Sequence, residues 1–333
     1  MMRRRIAATV AALAGLGALF WVLALAPPPP GPPVEFSVEH GTSLRTISRD
    51  LRAAGLIRSP RTFELLARLS GADRDLRAGS YELPAGATPW RLLGVLRAGV
   101  IELHQVTIPE GLWMWETAGL LASGAGVDSS LFVALVTDSV VVRNLGVSSR
   151  TLEGYLFPDT YDVPPGREPW LLIEQMVRQS LGVLAEERAR NPEVEMSDAE
   201  VLVLASIVEA EARVAEERPR IAAVYLNRLA RGWRLEADPT VLYAFRERRP
   251  RLFHRDLTVD SPWNTYRVLG LPPTPICSPG RAAIRAVFSP EPSCEDMFFV
   301  AEADGHHSFS KTRAEHDRHR RRIQASRRAA RRP

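Results

Sequence analysis

Eight consecutive residues, Val201-Leu-Val-Leu-Ala-Ser-Ile-Val208, carry one hydroxyl and no charge, and the ninth, Glu209, is an acid. Ser197-Asp-Ala-Glu200 just upstream is a capping box, so the apolar run starts as a helix. A helix this apolar must lie inside its domain. The pattern predicts a unit built around a helix over Ser197 to Val214. On it Leu202, Ala205, Ser206 and Glu209 share one face, while Glu211 lies about 200° around from Glu209 and is no partner for it. Burial penalises an ionised carboxylate, so an acid placed here tends to keep a proton near neutral pH and can donate it. Two readings stay open at this point. Glu209 is either a working acid or the end of a core helix paired with an arginine.

Several patterned segments follow. Pro219 opens an amphipathic helix, Arg220 to Arg231, that Gly232 closes. Asp238-Pro-Thr240 reads as an N-cap and first turn of a helix through Val241 to Phe245, with capping and a direct role both open for Asp238. Ser261-Pro-Trp-Asn-Thr-Tyr266 and Gly270-Leu-Pro-Pro-Thr-Pro-Ile276 make a proline-stiffened loop. Trp263, Asn264 and Tyr266 on it join flat apolar surface to amide hydrogen bonds, a mixture suited to sugars.

Together these residues resemble the membrane-anchored endolytic murein transglycosylases of the G type. The resemblance is carried by Leu204-Ala-Ser-Ile-Val-Glu209, Tyr225-Leu-Asn-Arg-Leu229, Asp238-Pro-Thr240, Ser261-Pro-Trp-Asn-Thr-Tyr266, Gly270-Leu-Pro-Pro273 and Phe309-Ser-Lys-Thr312, in order and register from about Val34 to His316. It implies that Glu209 is the acid and base that cleaves the β-1,4 bond between N-acetylmuramic acid and N-acetylglucosamine. Ordinary glycoside hydrolysis needs two carboxylates. A lytic transglycosylase can work with one, because the muramyl C6 hydroxyl attacks and a 1,6-anhydro ring forms. No second acid is therefore expected at nucleophile distance. Asn227, Asp238, Asn264 and Tyr266, then Thr240 and Tyr225, are the candidates for holding sugars or orienting Glu209. Ser206 reads as a small packing residue. The chain departs from the usual pattern at Thr274, where a glycine commonly follows the prolines, and at Glu236-Ala237, where glutamine and serine are frequent.

The N-terminus carries three arginines in residues 1–5, then an uncharged run of twenty-one residues, Ile6 to Ala26. That is long enough to span a bilayer with the positive end inside. It exceeds a typical signal-peptide core, and Pro27 follows the small-residue Ala24-Leu-Ala26, so an uncleaved anchor is expected. Residues 27–33 then form a stiff proline-rich spacer. This places the chain in the cell (inner) membrane as a single-pass protein, with a cytoplasmic N-terminus and an extracytoplasmic or periplasmic catalytic domain.

Beyond the spacer lies a degenerate repeat. Phe36-Ser-Val-Glu-His-Gly41 recurs seventy positions later as Val106-Thr-Ile-Pro-Glu-Gly111. Tyr81-Glu-Leu-Pro-Ala-Gly86-Ala-Thr-Pro-Trp90 is answered by Tyr161-Asp-Val-Pro-Pro-Gly166-Arg-Glu-Pro-Trp170. Two rounds of strand, turn, helix, helix, strand account for this pattern. The first round resembles a lysin-motif-like module, a type associated with binding glycan strands.

The expected class is α+β. The layout is a cytoplasmic tail over 1–5, a transmembrane anchor over 6–26, a linker over 27–33, a lysin-motif-like module over 34–104, a catalytic domain over 105–317 whose 105–185 repeat the first module's pattern, and an arginine-rich tail over 318–333. Lys311 is the only lysine, so the formal charge of +4 is an arginine excess concentrated in that tail. Outside the cytoplasm such a run meets anionic lipid or wall polymer, or is solvated helix, and nucleic acid is not an expected partner. Cys277 and Cys294 can pair or stay free, and neither has metal-site spacing. His306, His307, His316 and His319 cluster without a metallohydrolase motif, so no metal or cofactor is expected. The expected partners are peptidoglycan glycan strands, the membrane and, by the resemblance, penicillin-binding proteins. A membrane-anchored wall-binding or assembly factor without catalysis is the rival reading.

Overall fold

The computed structural model describes residues 26–99, 103–164, 167–249 and 251–329. The expected anchor falls almost wholly in 1–25, outside the described residues, and among those described no helix is long and apolar enough to cross a membrane. The chain forms two compact units, one drawn from 26–104 with 162–164, the other from 105–161 with 167–329. The architecture is mixed α+β, with strands paired only two at a time among the described residues.

In the first unit β1 (Val34–Val38) pairs antiparallel with β2 (Gly79–Leu83), Phe36 opposite Tyr81. Between them run α1 (Leu44–Ala53), capped by the Ser43 hydroxyl, and α2 (Pro60–Leu69), capped by Ser59. α3 (Pro89–Ala98) follows. Strand alternation turns Phe36 and Val38 inward, and helical spacing brings Ile47, Leu51, Phe63, Leu66, Leu92 and Leu96 onto them as one core.

The second round repeats the order: β3 (His104–Thr107), α4 (Met114–Ala125), α5 (Ser129–Thr137), and β4 (Thr160–Val163), which pairs with β3. One short helix is added, α6 (Ser139–Asn144). Its start is set by Asp138, whose carboxylate accepts from the Val140 N–H at 2.6 Å. The two closing strands carry buried tyrosines in matching roles. Tyr81 donates to the Arg77 carbonyl, and Tyr161 to the Phe157 carbonyl at 2.6 Å. α7 (Pro169–Arg190) opens on Pro-Trp, as α3 does.

The helix foreseen from the apolar run is α8 (Asp198–Glu211), and every residue from Val201 to Glu209 is buried. Its capping box is made in both directions, Ser197 N–H to Glu200 at 2.8 Å and Glu200 N–H to Ser197 at 3.3 Å. It stops three residues short of Val214, because Ala212 is extended at φ −72° and ψ 116°. α9 (Arg218–Ala230), α10 (Asp238–Phe245) and α11 (Arg281–Phe288) pack around α8. A hairpin of β5 (Phe298–Ala301) and β6 (His307–Ser310) and then α12 (Arg313–Ala329) complete the unit. Asp238 is not an N-cap. Ala237 holds that place, and Asp238 is the first helical residue.

The second unit also encloses Glu153, fully buried, which accepts from the Met114 N–H at 3.2 Å and the Tyr243 hydroxyl at 3.1 Å. Burial pushes its carboxyl up to about 8 from an ordinary 4.5. The folded chain therefore keeps a proton that the unfolded chain releases, and between those values stability falls as pH rises, by at most about 1.4 kcal/mol per pH unit. Urea unfolding from pH 5 to 8 is expected to record this fall, and Glu153→Gln to flatten it; equal slopes in the two proteins would contradict the assignment.

Candidate active site

Glu209 lies in the last turn of α8 with its side chain 5% exposed. One carboxylate oxygen accepts from Arg218 Nη2 at 2.8 Å, the other from the Gly280 N–H at 3.1 Å. Gly280 is the residue before α11, and a hydroxyl one turn back along α8 brings its loop there. Ser206 Oγ donates to the Val203 carbonyl at 2.7 Å and accepts from the Ile276 N–H at 3.0 Å, while the Ser206 carbonyl accepts from the Cys277 thiol at 3.2 Å. Ser206 thus does more than pack, contrary to expectation. It fastens the proline-rich loop whose end supplies a donor to the acid. Cys277 and Cys294 are both free thiols.

A second segment is stitched to that loop. The Gly111 N–H donates to the Ser278 carbonyl at 2.8 Å, and the Ser278 N–H to the Leu112 carbonyl at 2.9 Å. Gly111 sits at φ +77°, and a side chain there would touch Glu209. Its neighbour Glu110 is about half exposed and lies 3.6 Å from Arg218 Nη2. The Glu110 carboxylate occupies the space that a Cβ on Gly280 would need, so a side chain at 280 would push Glu110 aside. Burial, followed by the charge of Glu209, raises the Glu110 carboxyl above the ordinary range, and Arg218 opposes this. Glu209 is therefore not alone in its surroundings. A second carboxylate shares Glu209's arginine, and the two acids are no farther apart than the two legs through that nitrogen. It arrives from a distant loop, where neighbours along the helix give no sign of it.

Glu211 faces elsewhere. It accepts from the Tyr225 hydroxyl at 3.0 Å, and burial followed by Asp238 pushes it up to about 7. Tyr266 donates to Asp238 at 2.6 Å. Tyr225 is thus held by Glu211 and Tyr266 by Asp238, with no hydrogen bond from these four to Glu209. Asn227 laces α9 to the entry of β5 through the carbonyls of Cys294 and Asp296, at 2.9 and 3.0 Å. Thr240 is fully buried and donates to the Ala237 carbonyl at 2.7 Å. Asn264, also fully buried, donates to the carbonyls of Leu257 and Val259 and accepts from the Tyr266 N–H, which shapes the loop. Thr274, the departure from the family pattern, accepts from the Trp263 indole N–H at 2.9 Å and sets that ring. Trp263 lies 5.7 Å from Tyr243, which stacks on Trp115 at 5.6 Å, and both tryptophans are part-exposed. Among the histidines, His307 pairs with Glu217 at 2.7 Å.

Sequence reasoning missed Glu110, Arg218 and Gly280. Only the first left a sign, an acid before the glycine of the second repeat where the first copy has His40.

A carboxylate embedded in a helical core, held by one backbone N–H and one guanidinium and reached by a second acid, defines an acid–base site on a mixed α+β scaffold. The chain belongs to the YceG-like family, whose model matches residues 36–322. It is 29% identical over 301 residues to a Bacillus subtilis protein named endolytic murein transglycosylase, covering 86% of this chain and 83% of that one. A Streptococcus pneumoniae protein of the same name is 28% identical over 318 residues, covering 86% of this chain and 57% of that one. The crystal structure of a yceG-like protein from Listeria monocytogenes matches with a TM-score of 0.60 at 30% identity, over 86% of this chain and 98% of that one.

Ser206→Ala leaves the buried Ile276 N–H without its acceptor. It is expected to cost about 1–3 kcal/mol in denaturant unfolding, and a change below about 0.5 kcal/mol would mean that the loop is held by other contacts.

Proposed function

We propose that this protein is an endolytic peptidoglycan lytic transglycosylase with Glu209 as its acid and base. The observation that carries this reading is the placement of Glu209: buried at the end of the core helix, fixed by the Gly280 N–H, within a chain that aligns along most of its length with relatives of that name. In the reaction the Glu209 carboxyl protonates the glycosidic oxygen as the C1–O bond breaks. The muramyl C6 oxygen bonds to C1, and its proton passes to the Glu209 carboxylate, restoring the acid. Atoms balance without water, and the product ends in a 1,6-anhydro ring. The reaction trims or terminates glycan strands, and it needs no cofactor.

The finer parts of the reading rest on the sequence. Residues 6–26 anchor the chain as a single inner-membrane span with residues 1–5 in the cytoplasm and the catalytic domain, 105–317, outside. Residues 34–104 form the lysin-motif-like module, and glycan contact by it is supported by the strand, helix, helix, strand order of its chain. Penicillin-binding proteins are the proposed partners. The rival reading, a wall-binding factor without catalysis, draws on the Arg218 pair, which a purely structural acid would also make. Sacculi digested with the wild type are expected to release anhydro-muropeptides, and with Glu209→Gln to release at least about a hundredfold less. Equal release by the variant would remove Glu209 from the chemistry, and cut peptides in place of shortened glycans would remove the reaction class.

A further inference from the structure

The proposed chemistry sets a condition that the resting geometry does not meet. The first step needs a proton on Glu209, yet a guanidinium lies 2.8 Å from its carboxylate oxygen. Something must take that charge when the acid is to be neutral. Arg218 is held in a way that allows this. Its Nη2 makes both acid contacts, 2.8 Å to Glu209 and 3.6 Å to Glu110, while its Nε is buried without a hydrogen-bond partner. A guanidinium locked by a two-pronged pair would offer two nitrogens to one carboxylate. This one holds Glu209 by a single nitrogen, already within ion-pair distance of a second carboxylate.

We infer that Arg218 is a transferable counter-ion, and that Glu110 is the positioning residue that draws it off Glu209 and so leaves Glu209 free to hold the proton it donates. The inference rests on Glu209 being the acid. Two carboxylates and one arginine carry one negative charge in excess, so the cluster has room for one proton. Of the two carboxylates, the one not paired with Arg218 is the one open to that proton. Glu110 is about half exposed, so the balance between the two acids responds to what covers it. After the glycosidic bond breaks, Glu209 is a carboxylate, and the guanidinium between the acids can stabilise it until the C6 hydroxyl returns a proton.

Other charged groups nearby are engaged elsewhere. On α11 Arg281 pairs with Glu186 at 2.6 Å, and on α10 Asp238 takes the Tyr266 hydroxyl. Glu217, next to Arg218, pairs with His307, and Glu211 faces Tyr225. Arg248, which donates to the Gly111 carbonyl, is paired with Glu116 at 2.7 Å. The Cys277 thiol, pushed well up by burial, stays neutral. Arg218 and Glu110 are left as the charged side chains grouped with Glu209.

The test is the pH dependence of anhydro-muropeptide release from sacculi by the full-length protein. Activity requires protonated Glu209, so it falls on the alkaline side. Removing the negative charge at position 110 makes that proton harder to keep: Glu110→Gln is expected to move the alkaline limb down by about one pH unit. Glu110→Asp keeps the charge and is expected to restore the wild-type limb. Arg218→Gln is expected to move it upward. A Glu110→Gln profile that superimposes on the wild type, or is lowered equally at every pH, overturns the inference, as does a downward shift in Arg218→Gln. If Glu209→Gln retains activity, the functional reading itself fails. If Glu209→Gln is inactive and the Glu110→Gln limb does not move, only the counter-ion transfer fails.

Discussion

The hydrogen bond from the Ile276 N–H to the Ser206 hydroxyl is the contact on which the site depends. A loop rich in proline has few N–H groups, and one buried among apolar side chains must find an acceptor. On the helix it lies against, the Ser206 hydroxyl serves as that acceptor. Ser206 is the one residue of the run from Val201 to Val208 that can, and it lies one turn before Glu209. That hydroxyl thus ties the loop to the helix one turn before the acid. Four residues along, the same loop presents the Gly280 N–H to Glu209. Its carbonyl at Ser278 takes the Gly111 N–H, which brings in Glu110.

What was legible beforehand is what local chemistry controls. The capping box and the apolar run define α8 because both act within a few turns of one helix. The repeat could be read because each copy closes on its own strand pair, with a tyrosine bonded to a carbonyl four residues earlier. Asp238 was legible as a helix start but not as a non-cap, because the difference lies in one residue's backbone and in the pull of the Tyr266 hydroxyl. The supporting polar residues have structural partners that the sequence did not announce. Asn227, Thr240 and Asn264 satisfy buried carbonyls, and a polar side chain that builds a loop looks, along a sequence, the same as one that binds a sugar.

Glu110 and Arg218 were out of reach for a different reason. Ninety-nine residues separate the two acids, and only the tertiary fold puts them on one nitrogen. Periodicity reports which face of a helix is apolar and says nothing of which distant loop covers it. The repeat held a partial clue. Gly41 and Gly111 both take positive φ, 81° and 77°, so both copies make the same turn and present the preceding side chain from it. The copies differ in that side chain, His40 in one and Glu110 in the other.

That difference bears on how a scaffold turn becomes part of a site. The turn's glycine is required by its backbone, whatever the neighbouring residue does, and a second glycine at 280 clears the space that the Glu110 carboxylate fills. Both conditions concern shape and neither supplies chemistry. Chemistry enters with charge: an acid placed in that clearance adds a second negative charge beside a single arginine, so the arginine can no longer neutralise both. A buried pair of opposite charges is a static structural device. Adding a third, partly solvated charge makes the balance depend on what covers Glu110.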